Sequence, residues 1–330
     1  MERRVAWMRK SILVVMAVLS VGLASAGQVV SGKAAVAKFP AELRTMGLHT
    51  AKWMRLTDGV DYYYGRFTNL VGTVEGFTGT KNDLHMLRID YKKAKLRMKF
   101  VDHTQESSKR WATSQTAAAE NALFAVNMTM EDGKKRPHGY AKANGQVIPN
   151  GAELSNSGVK GGFAFNDDKS FRFDPNWLET DPKTGKPKAD PWQNVITHEA
   201  YTVRGGKATW GANATYFGRA NYPFLGVTAD GVMWVCVVDG RCKDSQGLGY
   251  HEVAALQVAL GCVDGVCCDG GGSTTLAIRK DLMTVSDICG TQKLSAHSDR
   301  YYTMNYLSDA LRTERKVINQ LLFLRTETLD

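Results

Sequence analysis

The chain has 330 residues, of which 43% are hydrophobic and 23% are charged. These values exclude an intrinsically disordered chain and leave room for one large folded domain or two small ones. The formal net charge of +9 at pH 7 suits an anionic partner, but a solvated basic surface without a ligand explains it equally well.

The N-terminal residues have the composition of a secretory signal peptide. Four basic residues within positions 3–10 precede an apolar run at 12–23, and small residues at 24–26 offer a cleavage site. The apolar run is too short to predict a membrane span, and no later run approaches the required length. We therefore predict a signal peptide over residues 1–26 and export to the periplasm or the extracellular space, without stable membrane insertion.

The next part of the chain changes from a mixed pattern to a β pattern. Residues 27–58 are predicted to form an N-terminal extension with a short helix at 41–46. From residue 59 onward the sequence favours strands. Apolar and polar residues largely alternate at 84–90 and at 96–100, which predicts half-buried antiparallel strands.

Further along, an alanine-rich helix at 116–123 leads into a strand that ends at Asn127, and two hairpins follow at 140–148 and 162–173. Residues 174–192 contain four of the eight prolines. This composition predicts a surface insertion, with a linker between two halves as the alternative. Because the strand patterns on both sides resemble one continuous sheet, we favour a single domain.

The C-terminal half continues the β pattern and adds one long helix. An Asp-Gly turn at 230–231 joins two strands, of which the second, at 232–238, is apolar throughout and is expected at the centre of a sheet. The helix at 251–260 ends at Gly261. Together these elements predict an α+β fold, with a mostly antiparallel or mixed central sheet and a few packed helices in one domain over residues 59–330.

The six cysteines all lie in this half, at positions 236, 242, 262, 267, 268 and 289. An even number in an exported chain favours disulfides or buried thiols. Short loops would be closed by Cys236 with Cys242, or by Cys262 with either Cys267 or Cys268. No Cys-x-x-Cys pair is present and two adjacent cysteines are poor joint ligands, so the sequence predicts no metal site, and it predicts no cofactor.

The most informative stretch is CCDGGGSTTLAI at 267–278. An apolar run delivers Asp269 onto three consecutive glycines, and Ser273 opens a second β-prone run, which predicts strand, tight turn, strand. An ordinary Asp-Gly hairpin without chemistry is the alternative, but it needs only one or two glycines. The glycine spacing excludes a Walker loop and a dinucleotide fingerprint, and no nucleic-acid partner is predicted.

The motif DGGGSTT at 269–275, preceded by a helix that begins with Gly-x-x-Glu at 249–252, resembles the signature of the phosphodiester glycosidase family. This resemblance implies hydrolysis of a sugar 1-phosphodiester to a free sugar and a phosphate monoester. It implies that Asp269 and Glu252 are the catalytic carboxylates and leaves open which is acid, base or nucleophile. Taken alone, Glu252 would be an acidic residue that a helix N-terminus favours in any case.

The resemblance also implies residues that bind the substrate. They are Asn127, Arg219, Asp239, Arg241, Gly270, Gly271, Gly272, Ser273, Asn305 and Arg315. A guanidinium group matches the oxygens of a phosphate, so the arginines are expected to hold the phosphodiester. The expected partner is a carbohydrate phosphodiester or an envelope glycan.

Two positions depart from the family pattern. Tyr222 stands where the family has an arginine, and Arg219 is the nearest candidate to replace it. Met128 follows Asn127 where the family has glycine. These departures favour one alternative, a catalytically inactive carbohydrate-binding envelope protein. A glycosidase that acts on a neutral envelope or capsule polysaccharide is the other, because a fold does not determine its substrate.

Overall fold

The computed structural model describes residues 28–68, 81–104, 110–131, 136–148, 162–174, 192–197, 200–210, 218–283, 291–308 and 312–326. The predicted signal peptide, most of the predicted insertion and Cys289 lie outside these residues. Within the described ranges the chain forms four α-helices, two short 3₁₀ helices and twenty strands. None of the helices in this part of the chain has the length and hydropathy needed to cross a lipid bilayer.

The helices are α1 (Gly32–Val36), α2 (Ala41–Arg44), α3 (Thr113–Ala119) and α4 (Tyr250–Ala259), and the 3₁₀ helices span Gly271–Ser273 and Lys280–Leu282. The strands of the first half are β1 (Val30–Ser31), β2 (Leu48–Thr57), β3 (Val60–Phe67), β4 (Asn82–Asp90), β5 (Leu96–Asp102), β6 (Phe124–Asn127), β7 (Ala141–Ala143), β8 (Gln146–Ile148), β9 (Gly162–Phe165) and β10 (Phe171–Asp174). The strands of the second half are β11 (Asn194–Thr197), β12 (Ala200–Arg204), β13 (Lys207–Ala208), β14 (Tyr222–Thr228), β15 (Val232–Val238), β16 (Cys262–Cys267), β17 (Leu276–Arg279), β18 (Lys293–Ser295), β19 (Ser298–Thr303) and β20 (Asn319–Arg325).

These strands form three sheets. The nine-stranded sheet has the order β1-β2-β3-β4-β15-β14-β16-β12-β13, the six-stranded sheet β18-β19-β17-β6-β20-β5, and the five-stranded sheet β10-β9-β11-β7-β8. Every strand pairing in the described residues is antiparallel. The predicted antiparallel pairing is confirmed, whereas the predicted α+β class with one central sheet is corrected to a predominantly β structure with three sheets and few helices. Short turns join many neighbouring strands, and such turns allow only antiparallel pairing.

Several predicted elements are confirmed in place. All seven residues of β15 are buried, and the strand lies between β4 and β14, as its apolar sequence predicts. Strands β10 and β11 both pair with β9, so the strands on the two sides of the predicted insertion share one sheet. The alanine-rich helix begins and ends a few residues early, at Thr113–Ala119, and Asn121, whose φ of 52° is left-handed, prevents it from continuing to residue 123.

The main hydrophobic core joins side chains from all three sheets. It contains Phe100 and Phe323 from the six-stranded sheet, Val235 and Val266 from the nine-stranded sheet, and Phe163 from the five-stranded sheet. Burying one such side chain stabilises the fold by about 1.5–3 kcal/mol. This shared core fixes the sheets against each other and thereby fixes the ends of the strands that carry the candidate site.

The cysteines of the described residues are free thiols, so no disulfide forms among them and the alternative of buried thiols is confirmed for four of the five. Cys236, Cys262, Cys267 and Cys268 are buried, and Cys242 is partly exposed. Cys262 and Cys267 begin and end the same extended strand, which separates them by roughly 16 Å, far more than a disulfide spans. Burial raises the pKa of Cys262 to about 12 and also raises the pKa of Cys236 and Cys268.

Candidate functional site

The three glycines lie in a connection between two sheets and not in a hairpin turn. Strand β16 belongs to the nine-stranded sheet, whereas β17 belongs to the six-stranded sheet. We call residues 269–273 the glycine loop. The Asp269 N–H donates to the Met128 carbonyl at 2.7 Å, and the Gly271 N–H donates to the Asn221 carbonyl at 2.9 Å. Backbone from two neighbouring strand ends therefore holds the loop at the junction of the sheets, with Asp269 half-buried.

Two buried asparagines hold the ends of this connection. Asn127, at the end of β6, donates from Nδ2 to the Asp269 carbonyl at 2.8 Å and accepts from the Thr275 N–H at 2.9 Å. Asn305 donates from Nδ2 to the Thr274 carbonyl at 2.9 Å and accepts from the Leu276 N–H at 2.7 Å. Both amides bridge backbone groups along the connection, which gives these residues a structural function. Their predicted contact with substrate stays a prediction.

Each glycine of the loop admits one side chain that a larger residue would displace. A Cβ on Gly270 would lie 2.4 Å from the ring of Tyr222. A Cβ on Gly271, where φ is +62°, would lie 3.0 Å from Nη1 of Arg241. On Gly272 it would lie 2.4 Å from Nη2 of Arg315, so this residue too must be small. Two predicted phosphate-binding arginines therefore lie directly against the loop that carries Asp269.

Arg315 is exposed, but the residues beside it are anchored. Glu314 is 4% exposed and accepts hydrogen bonds from the Ser114 N–H at 2.9 Å, the Ser114 hydroxyl at 2.6 Å and the Ser295 hydroxyl. Val317 exchanges two backbone hydrogen bonds with Trp111, at 2.9 and 3.0 Å. The sequence did not predict a function for Glu314, because only its place before Arg315 distinguishes it from other acidic residues.

Glu252 is fully buried in the first turn of α4. Its Oε2 accepts from the Gly249 N–H at 2.8 Å, and its Oε1 lies 2.5 Å from Nη2 of Arg219. Burial raises the pKa of Glu252, although the Gly249 N–H and the Arg219 charge act in the opposite direction. The second guanidinium nitrogen of Arg219 donates to Gln246 at 3.1 Å. Glu252 therefore holds Arg219 in one orientation.

Tyr222, the departure from the family pattern, is buried at the start of β14. Its ring lies against Gly270, and its centroid is 5.2 Å from that of Tyr250, the first residue of α4. The aromatic pair thus connects the glycine loop with the helix that carries Glu252. A packed tyrosine ring therefore occupies the position at which the family has an arginine.

A cleft of about 790 Å³ opens beside the glycine loop. It is lined by Asp83, Arg219, Arg241, Cys242, Lys243, Asp244, Gln246, Thr291, Tyr306 and Arg312. Asp269, Glu252 and Arg315 are not among these side chains. Arg219 nevertheless connects the cleft to Glu252, and Arg241 connects it to Gly271.

The lining of this cleft is basic. Two of its basic residues, Lys243 and Arg312, were not predicted from the sequence. The guanidinium of Arg312 lies 4.5 Å from the ring centroid of Tyr306. One of the two carboxylates, Asp83, is neutralised by Arg66 at 2.6 and 2.7 Å. Arg219 is in turn paired with Glu252. Arg241, Lys243 and Arg312 therefore outnumber the remaining carboxylate, Asp244, which favours an anionic ligand.

Asp239 lies under the cleft and is fully buried. Its Oδ1 accepts from the Tyr306 N–H at 2.8 Å and lies 3.4 Å from Nε2 of His85. Burial raises the pKa of Asp239, and the neighbouring His85 opposes that shift. Asn221 donates from Nδ2 to the Tyr306 carbonyl at 3.1 Å. Asp239 and Asn221 therefore position Tyr306, and direct contact of Asp239 with substrate remains a prediction.

The described residues contain no group of three or more His, Cys, Asp or Glu side chains placed to hold a metal ion. The predicted site residues come together in two groups. The first contains Arg241 and Arg315, which lie against the glycine loop that carries Asp269. The second is the ion pair of Glu252 and Arg219. Ser273 is buried within the loop itself.

Comparisons with solved structures show proteins of the same fold. The catalytic domain of zebrafish N-acetylglucosamine-1-phosphodiester alpha-N-acetylglucosaminidase, auto-inhibited by its pro-peptide, has a TM-score of 0.56 and 15% identity, covering 91% of this chain and 95% of that chain. A protein from Burkholderia pseudomallei that is predicted to be exported has a TM-score of 0.54 and 12% identity, covering 84% and 97%. A hypothetical protein from Synechocystis has a TM-score of 0.53 and 12% identity, covering 80% and 62%.

Sequence comparison adds one short match and one long one. The SPbeta prophage-derived uncharacterized protein YomE of Bacillus subtilis is 33% identical over 64 residues, which are 19% of this chain and only 10% of YomE. The profile of the phosphodiester glycosidase family matches residues 120–324, more than half of the chain and the whole of the glycine loop. This chain therefore belongs to the phosphodiester glycosidase family.

Proposed function

We propose that this protein hydrolyses the bond between a sugar and a phosphate in a glycan 1-phosphodiester. Water supplies the hydroxyl of the released sugar, and the remaining product is a phosphate monoester. Membership of the family supports a glycosidase-type hydrolase. The observation that carries the proposal is the position of Arg241 and Arg315 against Gly271 and Gly272, in the loop that carries Asp269.

The two arginines suit a phosphate whose charge increases during the reaction. A phosphodiester carries one negative charge, and the monoester that leaves carries more as the bond to the sugar breaks. Guanidinium groups bind phosphate oxygens through paired, charge-assisted hydrogen bonds. Because the interaction is stronger in the transition state than in the bound substrate, Arg241 and Arg315 would accelerate the reaction and not only increase affinity.

Asp269 is the carboxylate proposed to act at the anomeric carbon. Cleavage of a glycosidic bond develops positive charge on the sugar, and a carboxylate stabilises that charge, attacks the carbon or activates water. The backbone of Asp269 is held on both sides, by the Met128 carbonyl and by Asn127. This support fixes the origin of a half-buried side chain at the junction where the arginines lie.

Glu252 has a less direct function in this proposal. Its contact with Arg219 keeps a cation in the basic cleft, where the part of the substrate beyond the phosphate would lie. A proton transfer by Glu252 remains a prediction from the family resemblance. Because Glu252 is fully buried, its main function in this proposal is to hold Arg219 in place.

One observation favours a second candidate function, a carbohydrate-binding protein without catalysis. Tyr222 replaces an arginine of the family pattern, and its ring is packed against Gly270 and Tyr250. If that arginine is indispensable, Arg219 must replace it, and Arg219 is engaged by Glu252. A ligand that binds but is never cleaved would identify this function.

The test is a panel of soluble sugar 1-phosphodiesters beside neutral aryl glycosides of the same sugars, with released sugar measured for each. The proposal predicts turnover of at least one phosphodiester and no comparable turnover of its neutral counterpart. Arg315→Gln should lower phosphodiester turnover by about 100-fold, while Arg204→Gln, which removes the same charge from the exposed end of β12, should not. Turnover of neutral glycosides alone would reject the proposal.

We further propose that the protein is exported. The charged, apolar and small-residue parts of its first 26 residues support this, as does the similarity to a protein predicted to be exported. N-terminal sequencing of the mature protein should give Gly27 as the first residue. An intact N-terminus in the cytoplasmic fraction would reject export.

A further inference from the structure

A second basic surface lies at the other end of β17 from the glycine loop. Two depressions, of about 360 and about 680 Å³, share Asn121 and Arg279 in their linings. The basic side chains that line them are Arg97, Arg279, Lys280, Arg300 and Arg325, and we call these five residues the distal basic surface. Each comes from an element of the six-stranded sheet or from the 3₁₀ helix that follows β17.

The acidic residues of this region do not neutralise it. Asp281 lies 2.7 Å from Arg279, and Glu120 lies 2.6 Å from Lys99, a basic residue outside the two linings. Among the described residues, no carboxylate forms an ion pair with Arg97, Lys280 or Arg325. A concave surface therefore keeps an excess of positive charge, which repels itself unless an anion binds.

Local structure accounts for only two of the five cations. Arg300 donates to the Ala118 carbonyl at the C-terminal end of α3, where a cation is favoured by the helix dipole. Arg279 donates to Asn121 at 3.3 Å and pairs with Asp281. Neither explanation applies to the remaining three, Arg97, Lys280 and Arg325, which come from β5, the 3₁₀ helix and β20.

We propose that the distal basic surface binds phosphate groups of a polymeric glycan, so that the natural substrate is a sugar-phosphate polymer and not a small diester. The choice of phosphate rests on the proposed function. Four of the five cations are arginines, whose planar groups match phosphate oxygens. Seven residue steps separate Gly272 from Arg279, a reach of at most about 25 Å. A polymer of several repeats can occupy both places, and the second contact raises its apparent affinity.

Binding is tested with the triple variant R97Q/K280Q/R325Q. The matched control K33Q/R204Q/K207Q removes the same formal charge from α1 and from the edge of the nine-stranded sheet, at residues that are exposed. The probe is a fluorescently labelled sugar-phosphate oligomer of defined length, and its dissociation constant is measured at low and high salt. We expect binding at least about fivefold weaker for the triple variant, with a shallower salt dependence, and unchanged binding for the control.

A second variant and a second substrate separate the possible outcomes. Lys280→Glu, a single change at an exposed residue, should weaken binding at least about threefold even if the triple variant folds poorly. Both variants should hydrolyse a short diester at the wild-type rate. Because binding is measured without turnover, it still decides this proposal if no diester is hydrolysed and the proposed function fails.

Three results would overturn the proposal. The first is wild-type affinity in both distal variants, and the second is an equal loss in the control, which would show an effect of net charge alone. The third is equally tight binding of a polycarboxylate, of single-stranded DNA or of anionic vesicles, with the same loss in the triple variant. That result would identify a general polyanion surface and not a site for phosphate-bearing glycans.

Discussion

The replacement Gly272→Ala tests the position of Arg315 with a single methyl group. The added Cβ would lie 2.4, 2.6 and 3.1 Å from three atoms of the guanidinium, whereas ordinary contacts begin at 3.4 Å. The guanidinium must therefore move by about 1 Å. Gly272 does not have a positive φ, so alanine fits its backbone, and the group that must move is the end of a flexible side chain.

The expected effect is a loss of activity with little loss of stability. A displacement of about 1 Å in a group that binds the reacting part of a substrate costs about 100-fold in rate, or roughly 2.7 kcal/mol in the barrier. Moving an exposed side chain should change the free energy of unfolding by less than about 0.5 kcal/mol. The effect on the rate therefore exceeds the effect on folding.

The assay is kcat/KM for a soluble sugar 1-phosphodiester, with thermal unfolding of the same preparation. Gly218→Ala is the matched control, because a Cβ there meets no atom within 4 Å, and it should behave as the wild type. In an Arg315→Ala background the Gly272→Ala change should cost nothing further, since the group it displaces is already absent. A stable Gly272→Ala protein with normal kcat/KM would show that the position of Arg315 against Gly272 does not matter for turnover.

Two further predictions concern buried carboxylates. Glu314→Gln keeps the shape of the side chain but replaces an acceptor that serves Ser114 and Ser295, so chemical denaturation should show a free energy of unfolding lower by about 1–3 kcal/mol. Because Glu314 positions the neighbouring Arg315, kcat should also fall. An unchanged kcat in a Glu314→Gln protein that retains Arg315 would contradict this. Burial raises the pKa of Glu252 above its usual value of 4.5, so its folded form binds a proton more tightly than the unfolded chain does, and its contribution to stability is lost as the pH rises from 4.5 toward the folded pKa. The free energy of unfolding of the wild type minus that of Glu252→Gln should therefore decrease as the pH rises above 4.5, and an increase would show that the pKa is lowered instead.

The individual strands and the central motif could be predicted from sequence because their signals are local. The Asp-Gly turn between β14 and β15 and the Asn-Gly turn between β7 and β8 each fix a hairpin, and the glycine motif indicates the correct family. The crossing of the glycine loop between two sheets could not be predicted. Alternation identifies a strand and its buried face, but not the sheet in which it pairs.

The contacts that build the site depend on residues far apart in the chain. Arg219 meets Glu252 across 33 positions, and Ser114 meets Glu314 across 200. Nothing in the local sequence of either partner indicates the other. The strand pattern already excludes one of the predicted disulfides, because an extended strand separates Cys262 from Cys267.

The most direct test of the central claim is the activity of Asp269→Asn. The asparagine has nearly the same size, and its backbone keeps the bonds to Met128 and Asn127, so the protein should fold as the wild type does. Turnover of a sugar 1-phosphodiester should fall by about two to four powers of ten, while binding of the diester is retained. Near-normal turnover by a folded Asp269→Asn protein would contradict it.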